Sequence, residues 1–300
     1  MTTNRRRFLS AAALAGVAPS VRSASAPSLS DSDEVVLLND THIGEKQGPD
    51  HIHPQNLQRA VKEILSLPRK PAAIIVNGDL AMSVGAPGDY AAFSRLIAPL
   101  REAGHKIHFT LGNHDVREEF VRAFPGEVSA THFKDHRHNG LIDLPNVRLL
   151  LLDTLKDCPA APGLLGPEQR DWLIQQVDAC PDKPVVIVAH HNPQAGGDPM
   201  HYPGGVGDTA DIWQPLIDRP QVKAWIHGHI HDWNLAMDHR IHVINTLACN
   251  MVANKAVGTN GWTLATFRPT GLQLDIKTHL PDHPWRAEKK WLFWRQAKGA

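Results

Sequence analysis

The sequence predicts an α/β domain whose strands end in polar, chemistry-bearing loops. Three observations carry this. Short apolar runs rich in Val, Ile and Leu recur along the 300 residues, stretches with helical spacing separate the early runs, and acidic or imidazole side chains follow several of them. Glu34-Val35-Val36-Leu37-Leu38-Asn39 has the length and composition of a buried strand. Pro54 opens a helical stretch to Leu67, with Leu57, Val61, Ile64 and Leu65 on one stripe. Residues 72–77 read as a second buried strand, 90–103 as a helix ended by Gly104, and 106–111 as a third strand. This β-α-β-α-β order implies parallel pairing under helical cover. Residues 147–153 form the next strand and 167–179 a helix with Pro167 at its start. The apolar strands 185–189 and 222–226 come after it. Strands near 233–238, 241–246, 261–267 and 272–277 then read as a meander, which predicts antiparallel pairing in a mixed second sheet.

Composition sets the outer limits. With 42% apolar and 21% charged residues the chain is neither disordered, collagen-like nor a multi-span membrane protein. Basic and acidic residues balance at 31 each, so no nucleic-acid polymer is expected as a partner. Nineteen histidines stand against two tyrosines, which directs attention to metal ligation.

Residues 1–26 are set apart from the body. Asn4-Arg5-Arg6-Arg7-Phe8-Leu9-Ser10 precedes the Ala-rich stretch Ala11-Ala12-Ala13-Leu14-Ala15-Gly16-Val17-Ala18, a pattern that resembles a twin-arginine export signal. The apolar run is shorter than the roughly 20 residues a bilayer span needs. Export through the twin-arginine translocon to the periplasm or beyond is the expectation, with no transmembrane segment. Removal of residues 1–26 leaves 27 basic and 31 acidic residues, a net charge of −4. Residues 27–283 then form the main domain. Residues 284–300, with Trp285, Trp291, Phe293 and Trp294 among Arg286, Lys289, Lys290 and Arg295, form a basic aromatic segment. That segment reads as packing back on the domain or against another copy in a homo-oligomer, with interfacial membrane contact as the sharper alternative. Cys158, Cys180 and Cys249 show no CxxC spacing; they read as buried apolar residues, a Cys158–Cys180 bond being left open.

Five motifs fall at strand exits, where ligands gather in α/β sheets. They are Asp40-Thr41-His42, Gly78-Asp79, Gly112-Asn113-His114-Asp115, His190-His191 and His227-Gly228-His229-Ile230-His231. Residues i and i+2 of an extended segment face the same way, so Asp40 with His42, and His229 with His231, can each grip one ion. A carboxylate at Asp79 has oxygens enough to bridge two cations, while Asn113 offers a neutral oxygen and His190 a neutral nitrogen. Each motif alone is weak. Their joint occurrence in this order gives two nearly equal ligand sets sharing Asp79, the arrangement of a two-metal hydrolase.

Taken together, Asp40-x-His42, Gly78-Asp79, Gly112-Asn113-His114-Asp115, His190 and Gly228-His229-x-His231 resemble the complete motif set of the calcineurin-like metallophosphoesterases, over residues 34 to 250. Gly78-Asp79-Leu80 followed by Asp89-Tyr90, and His190-His191-Asn192-Pro193, are similar to its bacterial cyclic-nucleotide phosphodiesterase-like branch. The resemblance implies a four-layer α/β/β/α sandwich of two mixed sheets flanked by helices. It implies one ion held by Asp40, His42, Asp79 and His231, and another held by Asp79, Asn113, His190 and His229. His114 would protonate the leaving oxygen, with Asp115 orienting its ring. Fe, Mn, Zn and Co all suit such mixed donors. A metal-binding tyrosine of purple acid phosphatases is replaced here by Met82, so no tyrosinate ligand is expected. The implied reaction is hydrolysis of a small phosphodiester by a hydroxide that bridges the two ions. Alternatives are a phosphomonoesterase of the same fold, a non-catalytic metal-binding scaffold, or a mononuclear zinc hydrolase.

Several residues stay outside this set. His191 reads as a substrate-phosphate contact or a structural neighbour, the His-x-x-Pro spacing favouring His190 as the ligand. His227 reads as packed within its strand, Asn77 as ordering a turn, and 132–138 as a solvated loop. Asn245 and Cys249 are candidates for the substrate side.

Overall fold

The computed structural model describes residues 33–127, 129–195 and 204–296; the leader expected over 1–26 lies outside them. The first stretch runs β1 (Glu34–Leu38), α1 (Ile52–Leu65), β2 (Ala73–Asn77), α2 (Pro87–Glu102), β3 (Ile107–Thr110) and α3 (Arg117–Ala123). The chain then builds β4 (Gly140–Asp143), β5 (Arg148–Leu152), α4 (Pro167–Asp178), β6 (Val185–Ala189), α5 (Ala210–Ile217), β7 (Val222–His227), β8 (Asn234–Asp238) and β9 (Ile241–Asn245). It ends with β10 (Gly261–Arg268), β11 (Gly271–Thr278), a 3-10 turn at Pro284–Ala287 and β12 (Lys289–Phe293).

Two six-stranded mixed sheets result, in the orders β12-β11-β10-β1-β2-β3 and β4-β5-β6-β7-β9-β8. In the first, β1, β2 and β3 are parallel and β10 runs antiparallel to β1. In the second, β5, β6, β7 and β9 are parallel, with antiparallel β4 and β8 at its edges.

Strand alternation turns these sheets into four layers. Successive side chains point to opposite faces, so Val35 and Leu37 meet Leu149, Leu151, Val186, Val188 and Ile226 between the sheets. Val36 and Leu38 face the other way, onto Leu57, Val61 and Ile64 of α1 and Phe93 and Ile97 of α2. Leu150, Leu152 and Ile187 likewise pack under Trp172 and Leu173 of α4 and Ile212 of α5. The layers are helix, sheet, sheet, helix. All parallel strands deliver their C-terminal ends to one edge, where the five motifs lie.

The helices follow their sequence cues. Leu57, Ala60, Val61 and Ile64 give α1 a buried stripe, and His51 caps it by accepting the His53 N–H at 3.2 Å. That cap starts the helix before Pro54, where the sequence placed the opening.

The late strands depart from the expected meander. β8 pairs β9 and β10 pairs β11, both antiparallel, but the two hairpins belong to different sheets. Residues 246–260 carry the chain across, a crossing that hydropathy does not mark. The short elements α3 and β4 and the proline-bearing α5 escaped the periodicity reading. Only Phe120 of α3 is buried, which leaves no stripe to see.

The C-terminal segment is the edge strand of the first sheet. Trp294 is buried between the sheets. Arg295 donates to the carbonyls of Leu216, Ile217, Arg219, Val222 and His239, closing the C-terminal end of α5. Trp291 and Phe293 are 52% and 74% exposed.

Candidate metal centre

The C-terminal ends of β1, β2, β3, β6 and β7 bring seven expected ligands together. Asp40 and His42 follow β1, Asp79 follows β2 and Asn113 follows β3, all from the first sheet; His190, His229 and His231 follow β6 and β7 of the second. Five of the seven (Asp40, His42, Asp79, His229 and His231) have left-handed backbones, with φ between 44° and 69°. For residues other than glycine this conformation costs on the order of 1 kcal/mol each. Tight loops hold it in place. Asp40 N–H donates to Gly78 O at 3.2 Å and His42 N–H to Asp79 O at 3.0 Å, while Gly228 N–H donates to His190 O at 3.0 Å.

Around the first ion position, His42 Nε2 lies 3.1 Å from His231 Nε2, 3.6 Å from Asp79 Oδ2 and 4.0 Å from Asp40 Oδ1. His231 Nε2 is 3.4 Å from Asp40 Oδ1. The same Asp79 oxygen stands 3.3 Å from His190 Nε2, so one carboxylate faces both halves. His190 and His229 stand with ring centroids 5.3 Å apart on that second side. Both carboxylates are buried.

The donor set fits metal ions. The side-chain oxygen of Asn113 and Nε2 of His190 are buried and meet no hydrogen-bond partner among the described residues, a costly state unless a cation takes their lone pairs. Nδ1 of His190 donates to Asn77 O at 3.0 Å and Nδ1 of His42 to Met82 O at 3.4 Å, so each ring keeps its Nε2 lone pair for an ion. Burial alone would push the Asp79 carboxyl up, but His190, His42 and His114 hold it well below the usual carboxylate range. Burial likewise disfavours the charged His190 ring, yet Asp79 beside it raises its pKa to about 10. Among the described residues, the positive charge closest to these carboxylates is that of imidazole rings.

Glycines make the close approach possible. A Cβ on Gly78, whose φ is +77°, would come 2.7 Å from His190 Cβ. One on Gly112 would strike the Asp79 carboxylate and lie 2.8 Å from His190 Cδ2.

Residues 34–233 match the model of the calcineurin-like phosphoesterase family. The chain belongs to that family. This calcineurin-like phosphoesterase is 28% identical over 216 residues to a 3',5'-cyclic adenosine monophosphate phosphodiesterase CpdA of Pseudomonas aeruginosa, covering 70% of this chain and 74% of that one. It is 29% identical over 220 residues to a probable glycerophosphodiester phosphodiesterase GpdQ of Arcobacter nitrofigilis, covering 70% and 76%. Among solved structures, a dimetal phosphatase from Danio rerio superposes with a TM-score of 0.66 at 14% identity, over 88% of this chain and all of that one. The fold is thus the metallophosphoesterase sandwich, and the chain is a metal-dependent phosphoric ester hydrolase.

Two expectations for this phosphoesterase change. Asp115 does not orient His114. Its buried carboxylate accepts N–H groups from Leu80, Ala81 and Gly112 and the Tyr90 hydroxyl, at 3.0–3.3 Å. It staples the loop after β2 to the loop after β3. The ring of His114 is held by Ser83 instead, whose carbonyl accepts from Nδ1 at 2.6 Å. The second change concerns the late strands. Asn245 is buried with its amide donating to Asp232 O at 2.6 Å, and Cys249 is fully buried beside His279, so both pack within the fold.

Other residues settle in support. His191 is fully buried, with Nδ1 2.7 Å from Thr154 Oγ1. His227 is buried with Nδ1 on Gly228 O, and the side chain of Met82 meets Gln47 rather than the donor cluster. Asn77 does more than order a turn: its amide donates to Ala189 O at 3.0 Å, tying the two sheets beneath the site. In the loop read as solvated, Arg137 and His138 are buried, and Arg137 donates to Asp153 O and Leu164 O. All three cysteines are free thiols.

Sequence reasoning missed Asn250. Its amide donates to Thr41 O at 2.6 Å and His53 O at 3.3 Å, bracing the loop that carries His42. An isolated Asn in a loop gives no signal of this.

Proposed function

We propose that this chain is an exported phosphodiesterase working with two transition-metal ions, from among Fe, Mn, Zn and Co. Asp40, His42, Asp79 and His231 hold one ion, and Asp79, Asn113, His190 and His229 hold the other. Bound there, the ions supply Lewis acidity and an activated water. The chain's own residues do the rest. Ser83 keeps a proton on His114 Nδ1, which leaves Nε2 as the exchangeable nitrogen that gives its proton to the leaving oxygen. The backbone N–H of His114 donates to Asp79 Oδ1 at 2.9 Å, which registers this acid against the shared carboxylate.

Charge carries the preference for a diester. The strongest electrostatic neighbours of Asp40 are His231, His190 and Asp79, and those of Asp79 are His190, His42 and His114, with no Lys or Arg among them. A phosphodiester carries one negative charge near neutral pH and a phosphomonoester close to two. With no Lys or Arg beside the carboxylates among the described residues, the second charge is left to the two ions and the imidazoles alone, which favours the singly charged diester. The named activities of the relatives, on cyclic adenosine monophosphate and on glycerophosphodiesters, agree with this choice. Bis(4-nitrophenyl) phosphate should be cleaved with higher kcat/KM than 4-nitrophenyl phosphate. A wide preference for the monoester would overturn the reading.

The paired-arginine leader supports export by the twin-arginine route and a small extracytoplasmic diester as substrate. No helix among the described residues is long and apolar enough to cross a membrane. Cell fractionation tests the route: the variant carrying Arg5→Lys, Arg6→Lys and Arg7→Lys should stay in the cytoplasm. Equal export of that variant would defeat the assignment.

A further inference from the structure

The second-ion side contains an imidazole without an assigned role. His191 is fully buried, its ring centroid 4.9 Å from that of His190 and 4.6 Å from that of His229. These three side chains can bring one nitrogen each within ligand spacing. His42 and His231, which face one ion position together, stand 5.1 Å apart. On spacing alone His191 would count as one more ligand.

The hydroxyl of Thr154 decides against that. It is fully buried, 2.7 Å from His191 Nδ1, and also accepts the His191 backbone N–H at 3.3 Å. A hydroxyl has a single proton to donate, and among the described residues Nδ1 is the acceptor it meets. With the ring proton on Nδ1, both the Thr154 hydroxyl proton and the Nε2 lone pair would go unpaired among the described residues, whereas with it on Nε2 only that N–H does, so Thr154 donates and Nδ1 accepts. In a neutral ring the proton then sits on Nε2, and a protonated nitrogen has no lone pair for a cation. His190 and His42 are arranged the opposite way, with backbone carbonyls holding their protons on Nδ1.

We infer that Thr154 fixes His191 as the Nε2–H tautomer, which makes His191 a positioning residue for His190 and His229 and not a ligand of the second ion. The inference rests on the two-ion reading of the site. The ring is a rigid neutral spacer between the two ligands and the loops above them. Gly163 packs so closely on it that a Cβ there would come 2.7 Å from the ring. Gly163 in turn exchanges backbone hydrogen bonds with Gly205 and Gly207 at 3.1 and 2.9 Å. The neighbouring Gly204 abuts His229, since a Cβ on it would lie 3.2 Å from His229 Nε2. The carbonyl of Ala161 also lies against the His191 ring, and among the described residues no acceptor meets Nε2 in hydrogen-bonding geometry.

Two measurements on the full chain, labelled with 15N-histidine, test this. Two-bond 1H–15N correlation reads the tautomer, with His191 identified by its loss in His191→Gln. The Nε2–H signature is expected in the wild type both metal-free and with two equivalents of Zn2+, retained in Thr154→Ser and lost in Thr154→Val. Chelator competition reads the two Zn2+ affinities. Both His191→Ala and His191→Gln should weaken the second ion by about 10- to 100-fold and leave the first within about threefold. A zinc-shifted Nε2 in the loaded wild type would make His191 a ligand and overturn the inference. Unchanged second-site affinity in both His191 variants would reduce it to a space filler. A wild type that binds fewer than two ions would overturn the two-ion reading instead, and with it the positioning role, while the tautomer would still be read from the same spectrum.

Discussion

Gly112→Ala isolates the contribution of close approach to the shared carboxylate. Gly112 does not have a left-handed backbone, so alanine brings little conformational strain and one added methyl group. That methyl would lie 2.6 Å from Asp79 N and 2.8 Å from His190 Cδ2, and would collide with the Asp79 carboxylate. Ordinary contact begins at 3.4 Å, so Asp79 must retreat by roughly 0.8 Å and His190 by roughly 0.6 Å. Metal–ligand bonds near 2.0–2.2 Å do not tolerate such a step, and a misplacement of about 1 Å near the chemistry costs on the order of 100-fold in rate. Overpacking of this size costs about 1–3 kcal/mol of stability, which leaves a folded protein. Elemental analysis of Gly112→Ala should show fewer than two ions per chain, and kcat on bis(4-nitrophenyl) phosphate should fall by about 100-fold or more. Retention of two ions with kcat within about threefold of wild type would refute the role given to Asp79.

Other outcomes follow from the same geometry. His114→Ala should lower kcat by about 100- to 10,000-fold while both ions stay bound, measured by steady-state kinetics with metal analysis. Arg295→Met removes the donor to five carbonyls near the end of α5. It should cost about 2–4 kcal/mol in urea unfolding and leave kcat per folded molecule unchanged. Burial, with Arg59 adding to it, depresses His279 to about 4, below the ordinary 6.5. The unfolded chain therefore takes up this proton first, and stability should fall by up to about 3 kcal/mol as pH drops from 6.5 towards 4. Urea titrations of His279→Gln should show a shallower decline over that window.

The strand exits were readable because both faces of β1, β2 and β6 are covered, which forces continuous apolar runs and makes the first polar residue after each run conspicuous. Asp40, Asp79 and His190 announce themselves in this way. The supporting residues do not. Asp115 looks like a partner for His114 by adjacency, but a left-handed turn at Asp79 turns the N–H groups of Leu80 and Ala81 towards Asp115, and that local demand wins. Ser83 contributes only a carbonyl, which has no sequence signature. Likewise the split of β8 and β9 from β10 and β11 depends on where 246–260 crosses between sheets, a tertiary decision that alternating hydropathy does not encode. The strand at Lys289–Phe293 was obscured because its outward face carries Trp291 and Phe293, so polar and apolar residues do not alternate.

The provenance of the ligands has a mechanical consequence. Asp40, His42, Asp79 and Asn113 hang from one sheet and His190, His229 and His231 from the other, so the ligand set spans the seam between them. Ions seated there act as rivets along one rim of the sandwich, opposite the rim that Trp294 and Arg295 close. Chelation would then be felt as a loosening that starts at the motif edge, with amide exchange rising after β1 and β6 before it rises at β10 and β11.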